Sequence, residues 1–178
     1  MKPLTKITLA FIAFICFTQM LSAQTVGKGA WMIGGTAGFS SQKYKDADES
    51  LTRLNISPDV GYFFGDDFAI GLDADYSHAE FGSNSSSLFS VGPFIRHYFF
   101  DPIFLEVDAN FGLGDLEFTE YGFTIGYSWF VNNSVSIEPK LYYRVHNVTD
   151  ENTIDFDSNT FGLAFSIQVF LNHDHGME

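Results

Sequence analysis

Tyr121-Gly122-Phe123-Thr124-Ile125-Gly126-Tyr127-Ser128-Trp129 puts a large apolar side chain at every odd position and a small or polar one at every even position. Period two sustained this long marks a strand with two unlike faces, not a helix. The stretch runs into Trp129-Phe130, and Val131-Asn132-Asn133 follows as a tight turn. Seven further segments carry the same alternation: 31–40, 53–62, 68–77, 89–98, 105–112, 135–146 and 161–169.

The connections alternate as well. Gly65-Asp66-Asp67, Asp101-Pro102 and Val131-Asn132-Asn133 are short turns, while 41–50, 82–87 and 147–159 are longer and polar. Gly114-Asp115 is a short link where a long one is expected. Eight strands joined this way predict an all-β, eight-stranded antiparallel barrel with an up-and-down meander, short turns on one rim and long loops on the other.

A soluble barrel would show the same alternation turned inside out, with its apolar side chains inward. Three features favour a transmembrane barrel instead. The apolar face carries no Lys, Arg, Asp or Glu in any of the eight segments. The polar face is rich in Gly, Ser, Thr and Asn. Aromatic residues gather at the strand ends, as in an interfacial girdle. Trp31, Tyr62, Phe63, Phe99, Trp129, Phe130 and Phe170 mark the short-turn side, and Phe39, Tyr76, Phe81, Phe89, Tyr121 and Tyr143 the loop side.

The N-terminus reads as a secretory signal: Lys2 and Lys6, then an apolar run from Ile7 to Phe17, then Leu21-Ser22-Ala23 before a cut. Residues 1–23 are expected to be removed, leaving 24–171 as an outer-membrane barrel and 172–178 as a short periplasmic tail. The single cysteine, Cys16, falls within the signal. Loss of Lys2 and Lys6 takes the net charge from −13 to −15. That acidity argues against a nucleic-acid partner.

Gly34-Gly35-Thr36-Ala37-Gly38-Phe39-Ser40, Ser57-Pro58-Asp59-Val60-Gly61-Tyr62-Phe63, Ala69-Ile70-Gly71-Leu72 and Gly92-Pro93-Phe94-Ile95-Arg96-His97-Tyr98 resemble the outer-membrane-protein β-barrel family, the small OmpX/OmpA-like barrels of Bacteroidetes-type bacteria. The likeness covers nearly the whole mature chain and implies the fold and an outer-membrane location more than an activity. The chain departs from it at the end, where Asn172 to Glu178 follows Phe170-Leu171.

The polar face carries Asp59, Asp73, Asp75, Glu106, Asp108 and Glu138 with Arg53, Arg96, Lys140 and Arg144. An eight-stranded barrel is just wide enough for side chains to fill it. Buried charges must be paired. A lumenal ion-pair network of Asp59, Asp73, Asp75, Arg96, Glu106, Asp108, Glu138, Lys140 and Arg144 is therefore predicted to plug the barrel.

Catalytic residues, cofactors and metal ligands are not expected. His146 lacks a neighbouring serine and lies on the lumen side, so a lipid-modifying role is the weakest reading. His78 and His97 are isolated, and His173-Asp174-His175 sits in the tail. The acidic stretches 45–49 and 150–157 are expected as solvated loops, with divalent cations, lipopolysaccharide or an extracellular protein as candidate partners. The expected role is a structural or cell-surface interaction protein, monomeric, with outer-membrane lipids, lipopolysaccharide and the barrel-assembly machinery as partners. A narrow porin-like channel is the alternative.

Overall fold

The computed structural model describes residues 26–43, 50–113, 118–148 and 156–171. The expected signal segment, the tail with its two histidines and most of both acidic stretches lie outside these residues.

The regular elements among the described residues are all strands: β1 (Trp31–Lys43), β2 (Ser50–Gly65), β3 (Phe68–Phe81), β4 (Asn84–Phe100), β5 (Ile103–Leu113), β6 (Phe118–Tyr127), β7 (Trp129–Asn132), β8 (Val135–Val148) and β9 (Phe156–Leu171). All neighbours are antiparallel and follow chain order, and β1 pairs with β9 to close the ring. β6 and β7 both pair with β8 and are two parts of one stave, so the barrel has eight.

The split stave has a chemical cause. Pro139 of β8 lies beside the break, and proline has no N–H to give the ladder. Pairing runs to Gly126↔Lys140 and resumes at Trp129↔Ile137. Ser128, left between, donates its N–H to the carbonyl of Pro102 at 2.9 Å and turns its hydroxyl inward. Pro58 interrupts the β2–β3 ladder in the same way, between Ile56↔Tyr76 and Asp59↔Asp73. It stands opposite Gly35, whose φ is +146°, and a Cβ there would run into the carbonyl oxygen of Ser57. Only glycine adopts that backbone at no steric cost.

The faces are sorted as the alternation requires. Leu72, Val107, Ile137 and Phe165 point out, while Arg96, Asp108, Glu138 and Lys140 are buried inside. The inside-out arrangement is therefore not the one adopted. The connection expected as a loop over 82–87 is instead a tight hairpin, with Phe81↔Asn84 the last pair and Gly82 at φ +59°. Ser87 belongs to β4 and hydrogen-bonds His78 Nδ1 at 2.8 Å. Serine-rich sequence read as loop because serine favours turns, but cross-strand partners override that preference.

The aromatic set of the short-turn rim divides. Trp31, Tyr62, Phe99 and Trp129 are exposed. Phe63, Phe130 and Phe170, grouped with them from the sequence, face inward and are buried. Neighbours on a strand point opposite ways, so Tyr62 out requires Phe63 in. The inward rings pack at tilted angles with Tyr98 and Phe104, with Phe130–Phe170 centroids 5.2 Å and Tyr98–Phe104 5.4 Å apart. Val26 to Ala30 cross beneath them as a strap: Gly29 N–H donates to Phe63 O at 2.7 Å, and Val26 and Ala30 are buried.

Asp67 gives a test of the short-turn rim. It sits at φ 64°, with Oδ1 buried and without a hydrogen-bond partner. Burial raises its pKa, the nearby Asp101 and Asp66 raise it further, and His97 opposes them. A raised folded-state pKa makes protonation favour the fold, and that stability is lost as pH rises through it. Asn tolerates positive φ and carries no charge. Asp67→Asn should raise the melting temperature at neutral pH by about 2 °C, with the gain fading below about pH 4. A gain that persists unchanged in acid would mean that charge is not its origin.

Candidate functional site

Inward positions of β1 to β9 stack in three levels. Above the aromatic plug lies Arg96, fully buried. Its Nε donates to Glu106 Oε2 at 2.7 Å, and Nη2 lies 2.6 Å from the same oxygen. Nη1 reaches both Glu138 oxygens at 3.1 and 3.2 Å, and the guanidinium carbon stands 4.0 Å from the centre of the Phe104 ring. Arginine suits this place because its planar fork meets two carboxylates and a ring face together.

Glu138 collects the other half of that level. It accepts hydroxyl hydrogens from Ser128 at 2.6 Å, Ser136 at 3.2 Å and Ser166 at 3.3 Å. Lys140 Nζ lies 3.6 Å away. Such saturation is what a charge removed from water requires. On the neighbouring strand β9, Gln168 Nε2 donates to both oxygens of Asp59 of β2, at 2.7 and 2.8 Å.

The level nearest the loops holds Asp73, Asp75, Asp108, Glu120, Arg144 and His146. Arg144 pairs with Glu120 and lies 3.6 Å from Asp75. His146 Nδ1 is 2.7 Å from Glu120 Oε2. Asn110 Nδ2 donates to Asp75 at 3.3 Å, and Ser57 hydrogen-bonds Asp75. Asp75 and Asn110 occupy places where the ladders are interrupted beside Pro58 and Pro93.

All nine residues expected in the network face the lumen, in two levels rather than one plug. Glu120 was missed as a member, although its alternation put it on the inner face. Arg53 is exposed near the loop rim. Near-complete pairing was expected, and it fails on the acidic side. Three cations, Arg96, Lys140 and Arg144, all have carboxylate partners. They face seven carboxylates: Asp59, Asp73, Asp75, Glu106, Asp108, Glu120 and Glu138. Asp73 Oδ1 is buried with no hydrogen-bond partner.

Above Lys140, Glu106 and Phe94 the lumen opens into a cavity of about 690 Å³, lined by Asp59, Asp73, Asp75, Glu120 and Arg144 among others. It is blind at the short-turn end, where the aromatic plug and the strap lie. No group of three or more His, Cys, Asp or Glu among the described residues has the arrangement of a metal site.

No protein-family model matches this sequence, and no curated protein is significantly similar to it.

Proposed function

We propose that this chain is a β-barrel of the bacterial outer membrane, with a structural or cell-surface interaction role and a lumen that does not conduct. The observation that carries this reading is an outer belt of apolar side chains on every stave around a charged interior. On β9 the exposed apolar residues run from Phe161 to Leu171. Ten residue steps at ~3.4 Å, tilted ~45°, give a height of about 24 Å, close to the ~25 Å apolar band of an outer-membrane barrel. In water such a belt would be a large aggregation-prone patch. The signal-like N-terminus and the family likeness support the same location. Catalysis forms no part of this reading.

Single cysteines at Leu72, Val107, Ile137 and Phe165, in protein reconstituted in vesicles, should react with a lipid-soluble maleimide. Cysteines at Asp73, Asp108, Glu138 and Ser166 should be shielded from it. Labelling of the second set in place of the first would refute the membrane placement.

The blind lumen favours a closed barrel over the narrow channel. Pure wild-type protein should give no stable open channel in planar bilayers. Large, steady single-channel currents would restore the porin reading.

A further inference from the structure

The barrel wall is incomplete on one side. β1 and β9 pair only from Trp31↔Leu171 to Thr36↔Ser166. Both strands continue toward the loops, β1 against β2 and β9 against β8. Among the described residues, Ala37–Ser41 and Ser158–Phe165 have no partner across the gap. Gly35, with φ +146°, faces Pro58 one residue before the ladder with β9 stops.

Exposure shows the same opening. Phe39 (72 %), Phe161 (72 %), Leu163 (71 %) and Phe165 (66 %) are more exposed than Leu72 (56 %) or Phe123 (56 %), which are paired on both sides. The cavity also reaches the gap. Its lining includes Thr36, Ala37 and Gly38 on one edge and Leu163, Ala164 and Phe165 on the other. Both unpaired edges therefore border the same cavity.

At this height the outer face is still apolar, so an open sheet edge there leaves backbone N–H and C=O groups unpaired against hydrocarbon. Such an edge is costly and needs an occupant or closure. The register allows closure, since its continuation would set Ala37 against Phe165 and Phe39 against Leu163.

We infer that the β1–β9 gap is a lateral portal through which a membrane amphiphile places a cationic head in the cavity while its chain stays among Phe39, Phe161, Leu163 and Phe165. The inference rests on the membrane reading above. The sign of the head follows from the lumen, where Asp59, Asp73, Asp75, Glu106 and Glu120 line the cavity against Lys140 and Arg144. Asp73 lines the cavity, and its buried Oδ1 has no hydrogen-bond partner.

The test uses Ala37→Cys/Phe165→Cys, whose only other cysteine would be Cys16, in neutral detergent micelles. Dodecyltrimethylammonium binding is measured by calorimetry, with dodecyl sulfate and an uncharged dodecyl glycoside as comparison. The wild type and the reduced variant should bind the ammonium amphiphile. The oxidised variant should bind it about tenfold more weakly or not at all, and Asp73→Asn should weaken the ammonium ligand alone. Ala164→Phe, which fills the inner mouth, should give the same loss without any cross-link.

Equal binding by the oxidised and reduced forms, or no loss with Ala164→Phe, would overturn the portal. Dodecyl sulfate binding as well as the ammonium compound would overturn the assignment of charge. Dimers that the cross-link abolishes, without ammonium binding, would make the gap a strand-pairing interface instead. Vesicle labelling tests the membrane placement separately, so failure here leaves that result standing.

Discussion

Arg96→Met should lower the stability of the folded barrel by about 3–5 kcal/mol. The change removes the one cation that touches both Glu106 and Glu138 and leaves two acids in the same level with Lys140 alone. A buried charge without its partner is costly, whereas the pair as a whole contributes little. Glu138→Gln in the Arg96→Met background should therefore recover part of the loss, because the amide needs no counter-charge and can still accept from Ser128 and Ser136. Glu138→Ala alone should also destabilise, since Arg96 and Lys140 lose an anion and three hydroxyls lose their acceptor. Denaturant unfolding in micelles, followed by the heat-dependent gel shift of a folded barrel, measures all three variants against the wild type. A cost under about 1 kcal/mol for Arg96→Met would show that the charges do not hold the lumen.

Phe170→Ala should cost about 3–5 kcal/mol, as a fully buried aromatic side chain replaced by a void does. Its ring lies 5.2 Å from Phe130 and 6.2 Å from Phe63, inside the short-turn end. Phe99→Ala, on the outer surface of the same rim, should cost less than about 1.5 kcal/mol, since that ring is 52 % exposed. Comparable losses for the two would mean that the inward and outward aromatics are not energetically distinct.

The sequence carried the staves and their faces because both follow from period two, which is a local property. It carried the membership of the lumen for the same reason: Asp73, Arg96 and Glu138 all lie on the inner parity. What it missed depends on which residues meet across the ring. Phe63 and Phe170 looked like surface aromatics until parity was applied residue by residue at the rim. The Arg96–Glu138 contact joins strands far apart in the chain, and no spacing rule announces it. The gap between β1 and β9 opens one residue beyond the place where Pro58 faces Gly35, and neither residue signals it alone. The strap from Val26 to Ala30 has no period at all.

The ring is made almost wholly of hairpins between neighbours in the chain, which close over short loops and form early. One pairing is different: residues 31–36 meet residues 166–171. Loop-closure entropy makes that contact the slow one. The strap fastens the first strand to the β2–β3 hairpin through Gly29, Val26 and Asp67, by bonds that do not involve the last strand. The first strand is thus held in place, one edge bare, until the end of the chain arrives. Folding should finish, and unfolding begin, along this single line.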